Sequence, residues 1–226
     1  MRRNLYILLF LLMSALSAVA GGVKDIWISM PNQITPYLNK DLRQKLVTFN
    51  QTGVNPTVNN LIGGESKLDT LAGNFVQVEL SEACTLQMKL LPRSAGDSLV
   101  CVVKTYLGPA KRSEMKFYTT DWQELDNIPL PEQSLPARPD TMDINKYNRL
   151  VRSMDGRMQY MSLHAENNIL TTGFSVIFAT VDEQKALKDF CKETQWTWTG
   201  EKFVVNPKMA MALKVEGKRL DLKKTI

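Results

Sequence analysis

Histidine occurs once in the 226 residues of this chain, and cysteine three times. A lone imidazole rules out a multi-histidine zinc site. Cys84, Cys101 and Cys191 form no C-x-x-C pair, so neither a structural zinc nor an iron–sulfur centre is expected and no cofactor is called for. Charge of one sign is also scarce. The 28 Lys+Arg against 23 Asp+Glu are too balanced and too dispersed for the basic stripe of a nucleic-acid surface, so no nucleic acid is expected as a partner. Catalytic signatures are missing too. Gly173-Phe174-Ser175-Val176-Ile177 lacks the final glycine of a nucleophile elbow, and Gly63-Gly64 leads into no Lys-Ser/Thr helix start and reads as a turn. His164 stands at a hairpin end with no nucleophile motif around it, which is the setting of an ordinary turn histidine. Cys191 falls on an apolar helix face, where a buried thiol is expected.

The longest apolar run lies at the start of the chain. Arg2 and Arg3 precede Leu5–Met13, a stretch short for a bilayer span, and Ala18-Val19-Ala20 before Gly21 has the small-x-small form of a signal-peptidase site. Residues 1–20 are therefore expected to be a cleaved export signal, leaving a periplasmic or secreted chain with no transmembrane segment. The basic excess at the C-terminus (Lys214, Lys218, Arg219, Lys223, Lys224) is mixed with Glu216 and Asp221 and reads as a solvated hairpin or tail. In an oxidising compartment disulfides can form, but an odd cysteine count leaves at least one thiol free.

Periodicity sets out the rest. Asp25 is positioned to cap a short helix bearing Ile26 and Met30. Asn39 can cap a second over Lys40–Asn50, whose Leu42, Leu46 and Phe49 share one face, with Gly53 closing it. From Phe75 to Thr120 the period is two, which predicts a four-stranded antiparallel meander. Keeping all apolar residues on one face pairs Leu80 with Cys84, Val78 with Leu86, Leu90 with Leu99, Met88 with Cys101 and Val103 with Phe117. That register puts Cys84 about 13 Å along the sheet from Cys101, beyond the reach of a disulfide. The opposite face, with Lys89, Val100, Val102, Lys104, Tyr106, Lys116 and Tyr118, is mixed and is expected to be partly covered by another layer. Four prolines between Ile128 and Pro139 predict an extended connector. Beyond it come a helix near Asp143–Met154, a hairpin over Met158–His164 and Ile169–Phe178, a helix opened by the box Thr180-x-x-Glu183, a strand pair containing Trp196, Trp198, Phe203 and Val205, and a last hairpin over Met209–Leu222.

The sum is an α+β fold of antiparallel meanders with segregated helices, in two halves joined by the Pro-rich connector. The expected units are a signal peptide over 1–20, an N-terminal half over 21–127, the connector over 128–139 and a C-terminal half over 140–226. Tyr118, Trp122, Trp196 and Trp198 are the candidate binding residues, either as an aromatic recognition surface or as sheet packing. Glu114, Asp121 and Glu124 are near enough in sequence to line a cleft, although spacing alone does not pair them as acid and base.

Met30-Pro31, Pro36-Tyr37-Leu38, Gly63-Gly64-Glu65-Ser66, Met88-Lys89-Leu90-Leu91, Thr105-Tyr106 and above all Phe117-Tyr118-Thr119-Thr120-Asp121-Trp122 resemble an uncharacterised family of exported Bacteroidales proteins known only as a domain of unknown function. The resemblance covers residues 25–125 well and the rest loosely, and departs over Thr48–Asn60, which is amide-rich where acidic residues are expected. It implies export and a cell-envelope setting, and it carries over no active site. The leading expectation is an exported, non-enzymatic binding or accessory protein whose partner is an envelope protein or a glycan. A carboxylate-based hydrolase and a small-molecule or lipid carrier are the alternatives.

Overall fold

A computed structural model describes residues 22–177 and 180–206. The expected export signal and the expected hairpin over 209–222 lie outside these described residues. Helices α1 (Val23–Ser29) and α2 (Lys40–Gln51) open the fold. Asp25 is not the cap of α1: Gly22 holds that position without a side-chain bond, and Asp25 lies in the first turn, where a carboxylate still meets the positive end of the helix dipole. Asn39 does cap α2, accepting from the Leu42 amide at 3.0 Å, and Gly53 takes the left-handed turn (φ 71°) beyond its end.

The meander has six strands in chain order rather than four: β1 (Thr57–Asn59), β2 (Glu65–Ala72), β3 (Phe75–Ser81), β4 (Cys84–Pro92), β5 (Ser98–Tyr106) and β6 (Arg112–Tyr118). The two extra strands carry little alternation, because β1 spans three residues and β2 buries only Ser66 and Leu68. After the connector come α3 (Ile144–Ser153), β7 (Met158–Leu163), β8 (Ile169–Ser175), α4 (Val181–Phe190), β9 (Thr194–Trp198) and β10 (Phe203–Val205). The last four strands make a second antiparallel sheet in the order β10-β9-β8-β7. The fold is α+β. Among the described residues no helix is long and apolar enough to cross a membrane.

The expected register holds between β3 and β4, where Val78 pairs with Leu86, up to an irregularity that sets Ser81 rather than Leu80 opposite Cys84. It fails at β5. Met88 pairs with Val102, Lys89 with Cys101, Leu91 with Leu99, and Phe117 with Cys101 rather than Val103. The cause is that the sheet is buried on both faces, so both phases of β5 are apolar and alternation does not choose between them. Val76, Val78, Leu86, Met88, Val100 and Val102 pack with Trp27, Ile28, Leu46 and Val47 of the N-terminal helices. Phe75, Leu91, Leu99, Cys101, Val103 and Phe117 pack instead with Met161, Leu163, Leu170, Trp198 and Phe203 of the second sheet. A third cluster joins α3 and α4 through Leu150, Met154, Leu187 and Phe190, with Phe174 and Val176 at the end of β8 against it.

Two buried cations brace this arrangement. Arg43, on the α2 face it shares with Leu46 and Val47, reaches back to the segment between the helices. It donates to the carbonyls of Ile28, Met30 and Leu38, to Asn32 Oδ1 at 3.2 Å and to Thr35 Oγ1 at 3.1 Å, and none of these partners is a carboxylate. Burial lowers the guanidinium to about 10, so it remains charged at neutral pH. Lys89 sits in the first sheet and donates to the carbonyls of His164 (2.7 Å) and Ala165 (2.9 Å) in the β7–β8 turn, tying the second sheet to the first.

Cys84 and Cys101 lie on opposite faces of the sheet, and all three thiols are free. Burial raises each of them, which holds the reactive thiolate below its share in an exposed cysteine. Iodoacetamide at pH 8 is therefore expected to label half-buried Cys191 first, and Cys101 only after unfolding. A linked Cys84/Cys101 peptide pair in an unreduced digest would contradict the observed register.

Candidate functional site

The β7–β8 pairing sets Tyr160 opposite Gly173. The ring lies over that glycine so closely that a Cβ there would stand 2.4 Å from the phenol oxygen. From this position Tyr160 donates to Glu193 Oε1 at 2.8 Å. Burial, this bond and the Glu193 charge push the phenol up to about 12, so it stays protonated and donating. Lys111 Nζ stands 5.9 Å from the ring centroid, and Ser175 Oγ donates to the Lys111 carbonyl at 2.6 Å, fastening the β5–β6 loop onto β8.

A chain of hydrogen bonds fixes the wall at Lys192, next to Glu193. Trp196 Nε1 donates to Thr172 Oγ1 (2.9 Å), Thr172 donates to Gln133 Oε1 (2.8 Å), and Gln133 Nε2 donates to the Lys192 carbonyl (2.9 Å). The connector thus positions the backbone of Lys192 next to Glu193. Between the walls opens a cleft of about 800 Å³. Met154, Phe174, Val176, Leu187 and Cys191 form its apolar floor, with Lys111, Lys192 and Glu193 at the rim. Arg157 lies 5.4 Å from the Phe174 ring. None of these three cations is in an ion pair among the described residues. Two further clefts open beside the β7–β8 turn, about 420 Å³, and at the β1–β3 edge, about 570 Å³; most of their lining residues are polar or charged by type, and neither holds an aromatic-and-aliphatic floor of this kind.

Replacing Gly173 by alanine is expected to drive the Tyr160 ring out of its seat at a cost of about 1–3 kcal/mol. The comparison is with Tyr160→Phe, which removes only the bond to Glu193. Urea unfolding of the two variants separates the effects, and equal small losses would mean that the ring yields freely.

The four aromatics named from sequence do not form one surface. Tyr118 is buried in the helix-side core. Trp122 covers it at 5.5 Å between ring centroids, with the indole donating to Ser29 Oγ at 3.2 Å. Trp198 is buried between the sheets beside Phe117 and Phe203 and donates to the Pro92 carbonyl at 2.6 Å. Trp196 is half-buried against the core between the sheets and donates to Thr172 Oγ1, and none of the four lines the cleft. The three carboxylates are exposed: Glu114 pairs with Arg112, Glu124 pairs with Lys116, and Asp121 lies in the turn after β6. None of them lines any of the three clefts. His164 is half-buried and shares a 2.8 Å hydrogen bond with Thr171 Oγ1. Among the described residues no cluster of His, Cys, Asp or Glu side chains is suited to a metal ion.

Sequence reasoning missed Tyr160, Lys111, Phe174 and Lys192. The one available signal was a glycine inside a strand, which marks a place where another group approaches closely.

A family model described as "Protein of unknown function (DUF3256)" matches residues 15–203. No curated protein sequence matches the chain. Among solved structures, a domain of an uncharacterized protein from Porphyromonas gingivalis W83 is similar in fold. Its TM-score is 0.67 at 22% sequence identity, and the match covers 82% of this chain and 100% of that one.

Proposed function

The chain belongs to the DUF3256 family of proteins of unknown function, and from that premise we propose that it is an exported, non-enzymatic binding protein of the cell envelope whose ligand site is the cleft between Tyr160 and α4. The observation that carries this reading is the cleft itself: about 800 Å³ with an apolar floor and a few fixed polar groups, which is the make-up of a small-molecule site. The candidate acid and base carboxylates stand away from it in exposed positions, which favours binding over hydrolysis.

Export rests on the residues 1–20 pattern, and N-terminal sequencing of the protein from its native cell is expected to begin at Gly21. An intact Met1 in the mature protein would remove the export reading. For binding, native mass spectrometry of the protein purified without detergent from its own envelope is expected to show an added mass. Val176→Trp, which fills the cleft from a half-exposed position, is expected to abolish that mass. An added mass indifferent to Val176→Trp would move the site elsewhere, and release of a chemically altered molecule would overturn the non-enzymatic reading.

A further inference from the structure

We infer that the cleft takes a small amphiphilic anion: an apolar chain or ring carrying a single carboxylate or similar acidic head. The inference rests on the reading of this cleft as the binding site and adds the chemistry of the ligand.

The apolar floor favours a largely apolar body, because a polar group laid directly on Phe174, Val176 and Leu187 would lose its water without a partner among those three side chains. The rim sets the sign of the head. Lys111 and Lys192 line the cleft, and Arg157 stands over Phe174. Among the described lining residues the one carboxylate is Glu193, which accepts the Tyr160 hydroxyl at 2.8 Å and keeps its own negative charge. Three cations therefore stand against one carboxylate where the floor meets solvent, and none of the three is in an ion pair among the described residues. Lys111 is also held in place, by its position over the Tyr160 ring and by the bond from Ser175 to its own carbonyl. An anionic head gains these charges without reordering the loop. A cationic head meets three like charges with only Glu193 to offset them, and a neutral chain uses only the floor. At about 800 Å³ the cleft suits a ligand of small-molecule size rather than a folded partner.

The test is calorimetric titration of the purified protein at low ionic strength, where exposed charges are least screened. The probes are decanoate and decyltrimethylammonium below their micellar concentrations and decanol below its solubility limit. Decanoate is expected to bind once per chain and at least about tenfold more tightly than decyltrimethylammonium. The double variant Lys111→Glu/Lys192→Glu changes two exposed side chains outside every core. It is expected to weaken decanoate by about tenfold or more while leaving decanol within about threefold. Val176→Trp is expected to weaken both, with an unchanged far-ultraviolet dichroism spectrum and a cooperative urea transition showing that the variant is folded. Equal affinity for the anion and the cation, or a decanoate affinity indifferent to the double variant, would overturn the ligand class. If no probe binds while Val176→Trp still removes the native added mass, the ligand class falls and the cleft remains the site. If the native added mass also ignores Val176→Trp, the cleft reading itself is lost.

Discussion

Arg43→Met is expected to remove about 3–5 kcal/mol of stability, a large part of what a domain of this size has to lose. Arg43 is 1% exposed, and its guanidinium is the common partner of three backbone carbonyls and two side-chain oxygens from the end of α1 and the segment leading to α2. Methionine fills much of the same volume but donates nothing. The carbonyls of Ile28, Met30 and Leu38 would be left buried without this donor, at about 1–3 kcal/mol for each group that finds no other partner. Arg43→Lys is expected to fall between, because an ammonium keeps the charge but cannot spread five donors across carbonyls on two sides. Equilibrium urea unfolding with the slope held constant reads both variants. A loss below about 1 kcal/mol for Arg43→Met would mean that the segment finds other partners and that the cation is dispensable.

Trp198→Ala is expected to cost a similar amount, about 3–5 kcal/mol, for a different reason. The indole fills the space between the two sheets, 5.9 Å from Phe117 and 5.2 Å from Phe203 between ring centroids, and its Nε1 holds the Pro92 carbonyl at the end of β4. Alanine leaves both a cavity and an unpaired carbonyl. Trp198→Phe keeps most of the apolar volume and loses the bond, so about 1–2 kcal/mol is expected there. Trp122→Ala serves as the contrast: that ring is half-buried on the helix side, and its loss is expected to be smaller. If Trp198→Ala left thermal unfolding unchanged, the two sheets would not share the core that joins the halves of the chain.

These two residues show where the sequence was readable. Trp198, Phe203 and their alternation with threonines marked a buried hairpin, and the structure places it in a core. Arg43 could have been noticed, since it lies three and four residues before Leu46 and Val47 on the face that packs inward. A cation at such a position is nevertheless ordinary on helix surfaces, and nothing local distinguishes the buried case. Lys89 is similar: within Met88-Lys89-Leu90-Leu91 it alternates like a solvent-facing residue of a one-sided sheet, yet it is buried under the β7–β8 turn. The cleft was the least legible feature. Its lining comes from the β5–β6 loop, the C-terminal cap of α3, β7, the end of β8, α4 and the segment between α4 and β9, and residues such as Lys111, Tyr160 and Lys192 have no sequence spacing that announces their meeting.

By itself the sequence determined what short-range physics decides: the Asn39 cap, the strands with period two, the proline connector, the tryptophan hairpin and the α+β class. Each depends on backbone preference or on side chains within a few residues of one another. Tertiary structure alone decided the phase of β5, the two added strands, the burial of Arg43 and Lys89, and the pairing of Tyr160 with Gly173 beside a cationic rim. Alternation tells which residues share a face but not how many faces are covered. Once a second sheet packs on the first, both faces are dry, and the register follows from contacts between residues more than forty positions apart.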